Sequence, residues 1–263
     1  MRSCWKLMVL ACASLALIGC ETVGKTNASL PLTRGQAAEV LNGMEKERVS
    51  LERPVLVLSG FLDPGLAALS IEDGLEEVVK GGPVVVISFA TESDFEGARE
   101  TLIRELEEVL PSGESDETVE VDVIGHSMGG LIARYAAMPK EDAKRLKICR
   151  LFTLATPHRG AAFGGGALPI NDLAADMGEG AEFIDQVNAA SRDYALLPYV
   201  MLGDQVVGAE NSAPPSEHPW WVDRRWFSVP HFAVVEDDRI RADIFARLRG
   251  DDAFATEPRA DLP

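Results

Sequence analysis

The chain has 263 residues, 46% of them hydrophobic and 25% charged, a mix that excludes a disordered chain or a polytopic membrane protein. Its 42 acidic residues outnumber 25 basic ones, for a formal net charge of −17. A surface that acidic repels nucleic-acid phosphates and anionic headgroups, so nucleic acid is excluded as a partner and any membrane attachment must come from something other than a basic patch.

The chain opens with Arg2 and Lys6, followed by an uncharged, mostly apolar run of 13 residues from Leu7 to Gly19. That run suits a signal-peptide core and is too short for a spanning helix, which needs about 20 apolar residues. It closes as Leu17-Ile18-Gly19-Cys20, which resembles the bacterial lipobox. The resemblance implies cleavage before Cys20 and lipid attachment to Cys20 itself. Residues 1–19 are then signal, and residues 20–33, polar with Gly, Thr, Asn and Pro, are a tether. Loss of Arg2 and Lys6 takes the formal charge from −17 to −19. In Gram-negative lipoproteins an aspartate after the cysteine marks inner-membrane retention. Glu21 stands there instead, so the expected location is the cell envelope, on the periplasmic side of the outer membrane. Cys4 and Cys12 leave with the signal. Cys149, in an apolar stretch, is expected as a small core residue.

One α/β domain is expected over residues 34–249. Gln36 to Glu47 reads as a short helix. Pro54 to Leu58 and Pro83 to Phe89 are continuous apolar runs, the pattern of parallel strands buried on both faces. Phe95 to Leu110 places Ala98, Leu102, Leu106 and Val109 on one helical face. An acidic loop, residues 111–118, leads to a strand at Val119 to Ile124. Met128 to Met138 reads as a helix, Ile148 to Leu154 and Tyr199 to Leu202 as strands, and Ile240 to Leu248 as a final helix. Alternating β and α argues for a mostly parallel central sheet with helices on both faces. Residues 250–263 are expected to be a flexible tail.

The strongest chemical signal is Gly125-His126-Ser127-Met128-Gly129, a G-x-S-x-G sequence with a strand directly before it and a helix directly after it. A turn that sharp strains the serine and leaves no room for side chains at the glycines. It also lifts the hydroxyl above a helix N-terminus, whose amide dipoles favour a developing oxyanion.

With these residues the chain resembles the α/β-hydrolase family, in particular its bacterial lipase and esterase branch, over most of residues 53–249. The resemblance implies an α/β-hydrolase fold with a lid or cap insertion and a triad in the order Ser, acid, His. A serine hydroxyl needs a neighbouring base. His126 sits inside the elbow, and His158 precedes any late acid. His218 lies in a Pro-rich stretch with Trp220 and Trp221. His231 follows a short apolar run and precedes the final helix, where this family carries its histidine, so His231 is favoured over His218. Gly203-Asp204-Gln205-Val206-Val207 follows a strand and matches the lipase acid position. Asp204 is therefore the expected acid, with Glu210, Glu217 and Asp223 as fallbacks.

The same resemblance implies an oxyanion hole built from the backbone amides of Met128 and Phe61. Ser59 stands where lipases usually have histidine, which leaves the bracing of that loop open. Thr156-Pro157-His158-Arg159-Gly160 also resembles a lipase segment, with His158 structural. Residues 158–197 are the expected lid or cap. Its apolar residues Phe163, Leu168, Leu173, Phe183 and Ile184 could line an acyl pocket or bury themselves. The implied activity is carboxylic-ester hydrolysis on lipid or other acyl esters, with no cofactor and no metal. An acyltransferase with the same triad and a non-catalytic envelope lipoprotein on this fold are the alternatives.

Overall fold

The computed structural model describes residues 27–161, 172–257 and 259–263. The leader, Cys20, Phe163 and Leu168 lie outside the described residues. Strands β1 (Val55–Leu58), β2 (Val84–Ile87), β3 (Val121–His126), β4 (Ile148–Leu154), β5 (Ala195–Met201) and β6 (Trp220–Val222) form one sheet. Their order is β2-β1-β3-β4-β5-β6. Every pairing is parallel, because helices cross between the strands. These are α1 (Arg34–Lys46), α2 (Leu66–Val78), α3 (Phe95–Val109), α4 (Met128–Ala136), α5 (Asp172–Asp176), α6 (Glu182–Ala189), α7 (Pro230–Ala233) and α8 (Asp238–Arg249).

The sheet is covered on both faces. Strand side chains alternate, so β1 sends Leu56 and Leu58 into one layer and Val55 and Val57 into the other. The first layer packs against α3, α4 and α6 through Leu102, Leu106, Leu131 and Phe183. The second packs against α2 and α8 through Ile71, Leu75, Ile244 and Phe245. Asp122 is a carboxylate buried in β3. Arg150 of β4 pairs with it at both oxygens, 2.9 Å at Oδ1 and 2.5 Å at Oδ2, which supplies the partners a buried charge requires.

The described chain departs from the sequence expectations at several places. Helix α2 and strand β6 are additional elements. Strand β5 begins at Ala195 rather than Tyr199. Cys149 is free and only half-buried, near the start of β4. The expected flexible tail is instead docked. Asp243 accepts the amides of Phe254 (2.6 Å) and Ala255 (2.7 Å), and Trp220 Nε1 donates to the Thr256 carbonyl at 2.8 Å. Buried Asp243 and Trp220 need those partners, and the tail provides them. The part of the expected tether within the described residues is docked as well. Leu30 is buried, and Ser29 Oγ accepts the Trp221 amide at 2.8 Å.

The chain order reverses at β1, which lies between β2 and β3. In open parallel sheets the crevice beyond the carboxyl ends of the strands at such a reversal is where ligands bind. The loops leaving β1 and β3 there are Ser59-Gly60-Phe61 and the elbow at Ser127.

Candidate active site

Ser127 sits between β3 and α4 with φ 52° and ψ −122°. That is a strained conformation for a residue with a side chain, and the surroundings enforce it. A Cβ at Gly125 would lie 2.6 Å from the Gly130 nitrogen, and one at Gly129 would lie 2.7 Å from the Leu58 carbonyl oxygen. Both distances are shorter than any real carbon contact, so the elbow closes only with glycine there. The Ser127 amide donates to the Leu154 carbonyl at 2.8 Å. Thr156 Oγ1 donates to the Ser127 carbonyl at 2.8 Å.

Two later loops bring His231 and Asp204 to this serine. His231 Nε2 lies 3.0 Å from Ser127 Oγ, and His231 Nδ1 lies 2.9 Å from Asp204 Oδ2. His231 is carried by α7, whose Pro230 starts a short helix directly after the exposed loop. Asp204 follows Gly203, whose φ of 82° turns the chain sharply at the end of β5. Asp204 Oδ1 accepts the amides of Val206 (2.8 Å) and Val207 (3.2 Å). Burial pushes the Asp204 carboxyl up, but its hydrogen bond and charge interaction with His231 and those two amides outweigh burial, so it sits below the usual carboxylate range. An ionised Asp204 fixes the proton of His231 on Nδ1 and leaves Nε2 free to accept from Ser127.

The remaining histidines have other work. His126 is buried, and its Nε2 donates to the His231 carbonyl at 2.8 Å. Burial, then the neighbouring His231, lowers its pKa to about 4. His158 is also buried. Arg134 can only donate, so His158 Nδ1 accepts from Arg134 Nη1 at 2.9 Å and His158 Nε2–H faces Thr153 Oγ1 at 3.0 Å. Burial, then the Arg134 charge, holds its pKa well below the ordinary value. His218 is away from Ser127, with Nε2 3.7 Å from Asp261. Among the fallback acids, Glu217 pairs with Arg192 and Arg259, and Asp223 lies 3.8 Å from Arg239.

A cavity of about 200 Å³ opens over Ser127. Phe61, Asp63, Val206, Val207 and Phe232 are among the residues that line it. The loop after β1 presses on Ser127, since a Cβ at Gly60 would lie 3.1 Å from Ser127 Cβ. Ser59 does not brace that loop, because its buried Oγ has no partner among the described residues. Asp63 does, a residue the sequence reading passed over. Its carboxylate accepts the amides of Gly65 (3.0 Å), Leu66 (2.7 Å) and Ala67 (3.1 Å), capping α2. Ser88 Oγ holds the Asp63 carbonyl at 2.9 Å. An aspartate just before a helical pattern is the signal that could have found it. Met128 starts α4 next to Ser127.

The described part of the expected cap packs as part of the domain. Phe183 stacks on Phe95, centroids 3.8 Å apart, and Leu173 and Ile184 join the same core layer. These three bury themselves, whereas Ala174 and Met177 face the cavity. Among the described residues no cluster of His, Cys, Asp and Glu is arranged to hold a metal ion.

Residues 99–166 match the profile of the PGAP1-like alpha/beta domain. No curated sequence matches the chain. Solved structures resemble it across most of its length. The mature form of Bacillus licheniformis lipase BlEst2 superposes with a TM-score of 0.53 at 17% identity, over 74% of this chain and 91% of that one. The product of gene lin2722 from Listeria innocua gives 0.53 at 13%, over 79% and 96%. Aspergillus fumigatus lipase B gives 0.51 at 16%, over 80% of this chain and 55% of its own. At such identities the likeness speaks for architecture alone. With the parallel sheet and its covering helices, it establishes that the chain has the α/β-hydrolase fold implied by its elbow.

Proposed function

We propose that the protein is a serine carboxylic-ester hydrolase of lipase or esterase type. The observation that carries this reading is the unbroken hydrogen-bond chain from Ser127 through His231 to Asp204, at 3.0 and 2.9 Å. His231 Nε2 takes the hydroxyl proton as Ser127 Oγ attacks the ester carbonyl. The Phe61 and Met128 amides hold the resulting oxyanion, each such donor typically contributing about 3 kcal/mol in the transition state. Collapse expels the alcohol, which leaves with the proton from His231, and Ser127 is acylated. Water, activated by the same imidazole, then releases the acid and restores the serine. The apolar side chains around the cavity favour an acyl group there. Ser127→Ala should abolish hydrolysis of p-nitrophenyl esters and labelling by a fluorophosphonate probe. A Ser127→Ala protein that still turns over or labels at parental rates rules this reading out.

The lipobox-like Leu17-Ile18-Gly19-Cys20 supports a second part of the proposal, that Cys20 is acylated and holds the domain at the periplasmic side of the outer membrane. Cys20→Ser should then lose the lipid mass from the mature N-terminus and release the protein from envelope membranes. An unchanged intact mass contradicts it.

A further inference from the structure

Exposed apolar side chains fall in two stretches of the described surface, each with a member at the Ser127 cavity. Trp226 and Phe227, in the loop between β6 and α7, are 84% and 96% exposed, and their rings lie 5.8 Å apart. Val229 and Phe232 continue the patch at 60% and 58%. Phe232 also lines the Ser127 cavity, and across that cavity Phe61 leads into the exposed Leu62 and Leu66. Apart from Val109, the large exposed hydrophobics among the described residues fall within 62–69 and 226–232. A gathered apolar patch of this kind marks an interaction surface, whereas isolated exposed side chains do not.

Beside the two aromatic rings lies a concavity of about 760 Å³. Arg34, Arg224, Arg225 and Arg239 line it, with Asp223 as the only lining carboxylate among the described residues. Arg239 is already neutralised by Asp237 at 2.8 Å. Among the described residues Arg224 reaches only the Ser228 carbonyl, at 3.4 Å. Among the described residues Arg34 Nε is buried without a partner, and the Arg225 guanidinium makes no hydrogen bond or ion pair, although its charge acts on Asp238. Burial, then the adjacent Arg239 charge, lowers the Arg34 pKa, with Asp237 and Asp223 acting in the opposite direction. This basic hollow stands on a chain of net charge −17. At physiological ionic strength charges are screened beyond about 8 Å, so a ligand in the hollow meets these arginines and not the distant carboxylates.

Guanidinium groups suit phosphate oxygens. A soluble phosphate compound would use the arginines but leave Trp226 and Phe227 in water. A bilayer matches both features, with phosphates at the headgroup level and hydrocarbon directly beneath. We propose that this hollow and its aromatic rim are a docking site for an anionic phospholipid bilayer. The arginines take lipid phosphates, Trp226 and Phe227 enter the acyl layer, and the Ser127 cavity is held at the membrane surface. The docking surface does not depend on the hydrolase reading, which only says what the membrane would deliver.

The test uses the full chain carrying Ser127→Ala, so that no lipid is consumed and docking is read independently of turnover. Vesicles of phosphatidylcholine and phosphatidylglycerol, with or without brominated acyl chains, are the probe. The Trp226 contribution is the difference between this chain and the same chain with Trp226→Phe, which removes the signals of the other tryptophans. Brominated acyl chains should quench most of that difference signal. Omitting phosphatidylglycerol, or introducing Arg224→Glu with Arg225→Glu, should remove the quenching without changing the thermal midpoint. A Trp226 signal indifferent to brominated lipid overturns the proposal. So does equal quenching by pure phosphatidylcholine, or saturation of the hollow by inorganic phosphate with no response to vesicles.

Discussion

His126 and His231 are joined through a main-chain carbonyl 105 residues away in sequence, and that bond ties the elbow to the proposed base. A neutral His126 satisfies it with Nε2–H, and burial with the adjacent His231 keeps the ring neutral down to about pH 4. In the unfolded chain the same ring titrates near 6.5. Between these values the unfolded state binds more protons, so stability rises with pH across the window and falls as pH drops from 6.5 to about 4. The expected loss over that window is roughly 3 kcal/mol. His158, shifted in the same direction, adds to it. Asp204 acts in a lower window. Its depressed carboxyl contributes stability above the unfolded value of about 3.9 and loses it as pH falls further. His126→Gln keeps a donor toward the His231 carbonyl but does not titrate, so urea unfolding at fixed pH values should show a shallower loss than in the parent. A parent protein equally stable at pH 6.5 and pH 4 would contradict this.

Among the elements, β3 and α4 with the turn between them are the most constrained. Gly129→Ala would drive a methyl group to 2.7 Å from the Leu58 and Ser59 carbonyls of the neighbouring strand end. Relief requires the start of α4 to move, and with it Ser127. Overpacking of this kind typically costs about 1–3 kcal/mol, and the activity should fall further than the stability does. Denaturant midpoints and ester turnover measured together check this; retention of both would mean the elbow has slack. This element was also the most legible in sequence, because steric necessity writes glycines at fixed offsets around the serine. The central strands were legible for a related reason, since burial on both faces leaves continuous β-branched runs. Helix α2 was less so. Its buried Ala68, Ile71, Leu75 and Val78 keep helical spacing, but Gly74 and a cluster of four acids interrupt the pattern. Strand β6 has three residues, too few for any period to show. The arginine hollow was illegible because Arg34, Arg224, Arg225 and Arg239 are dispersed along the chain. Net charge therefore argued against a basic patch that folding assembles.

Taken whole, the domain is closed by its two ends. Residues 27–32 lie against β6 and the tail, with Thr256 Oγ1 donating to the Ala28 carbonyl at 2.9 Å. Trp220, capped by the Thr256 carbonyl, packs beneath Arg247 and Arg259. Truncation after Asp252 removes Arg259 and leaves Asp243 without two amide donors, Trp220 Nε1 without an acceptor and Leu30 less covered. The cost should be about 2–4 kcal/mol, a sum of unmet buried polar groups and lost packing. Urea denaturation of the truncated chain measures it. An unchanged midpoint would mean the tail merely rests on the surface.

The contact between Thr256 and Ala28 spans 228 positions. During synthesis the first segment of the domain therefore has no finished seat until Thr256 has left the ribosome. Strand β6 and its tryptophans wait on the same residues. For a chain proposed to leave the cytoplasm behind an N-terminal leader this delay is useful, because export machinery that threads unfolded polypeptide meets a domain that has not yet been able to lock.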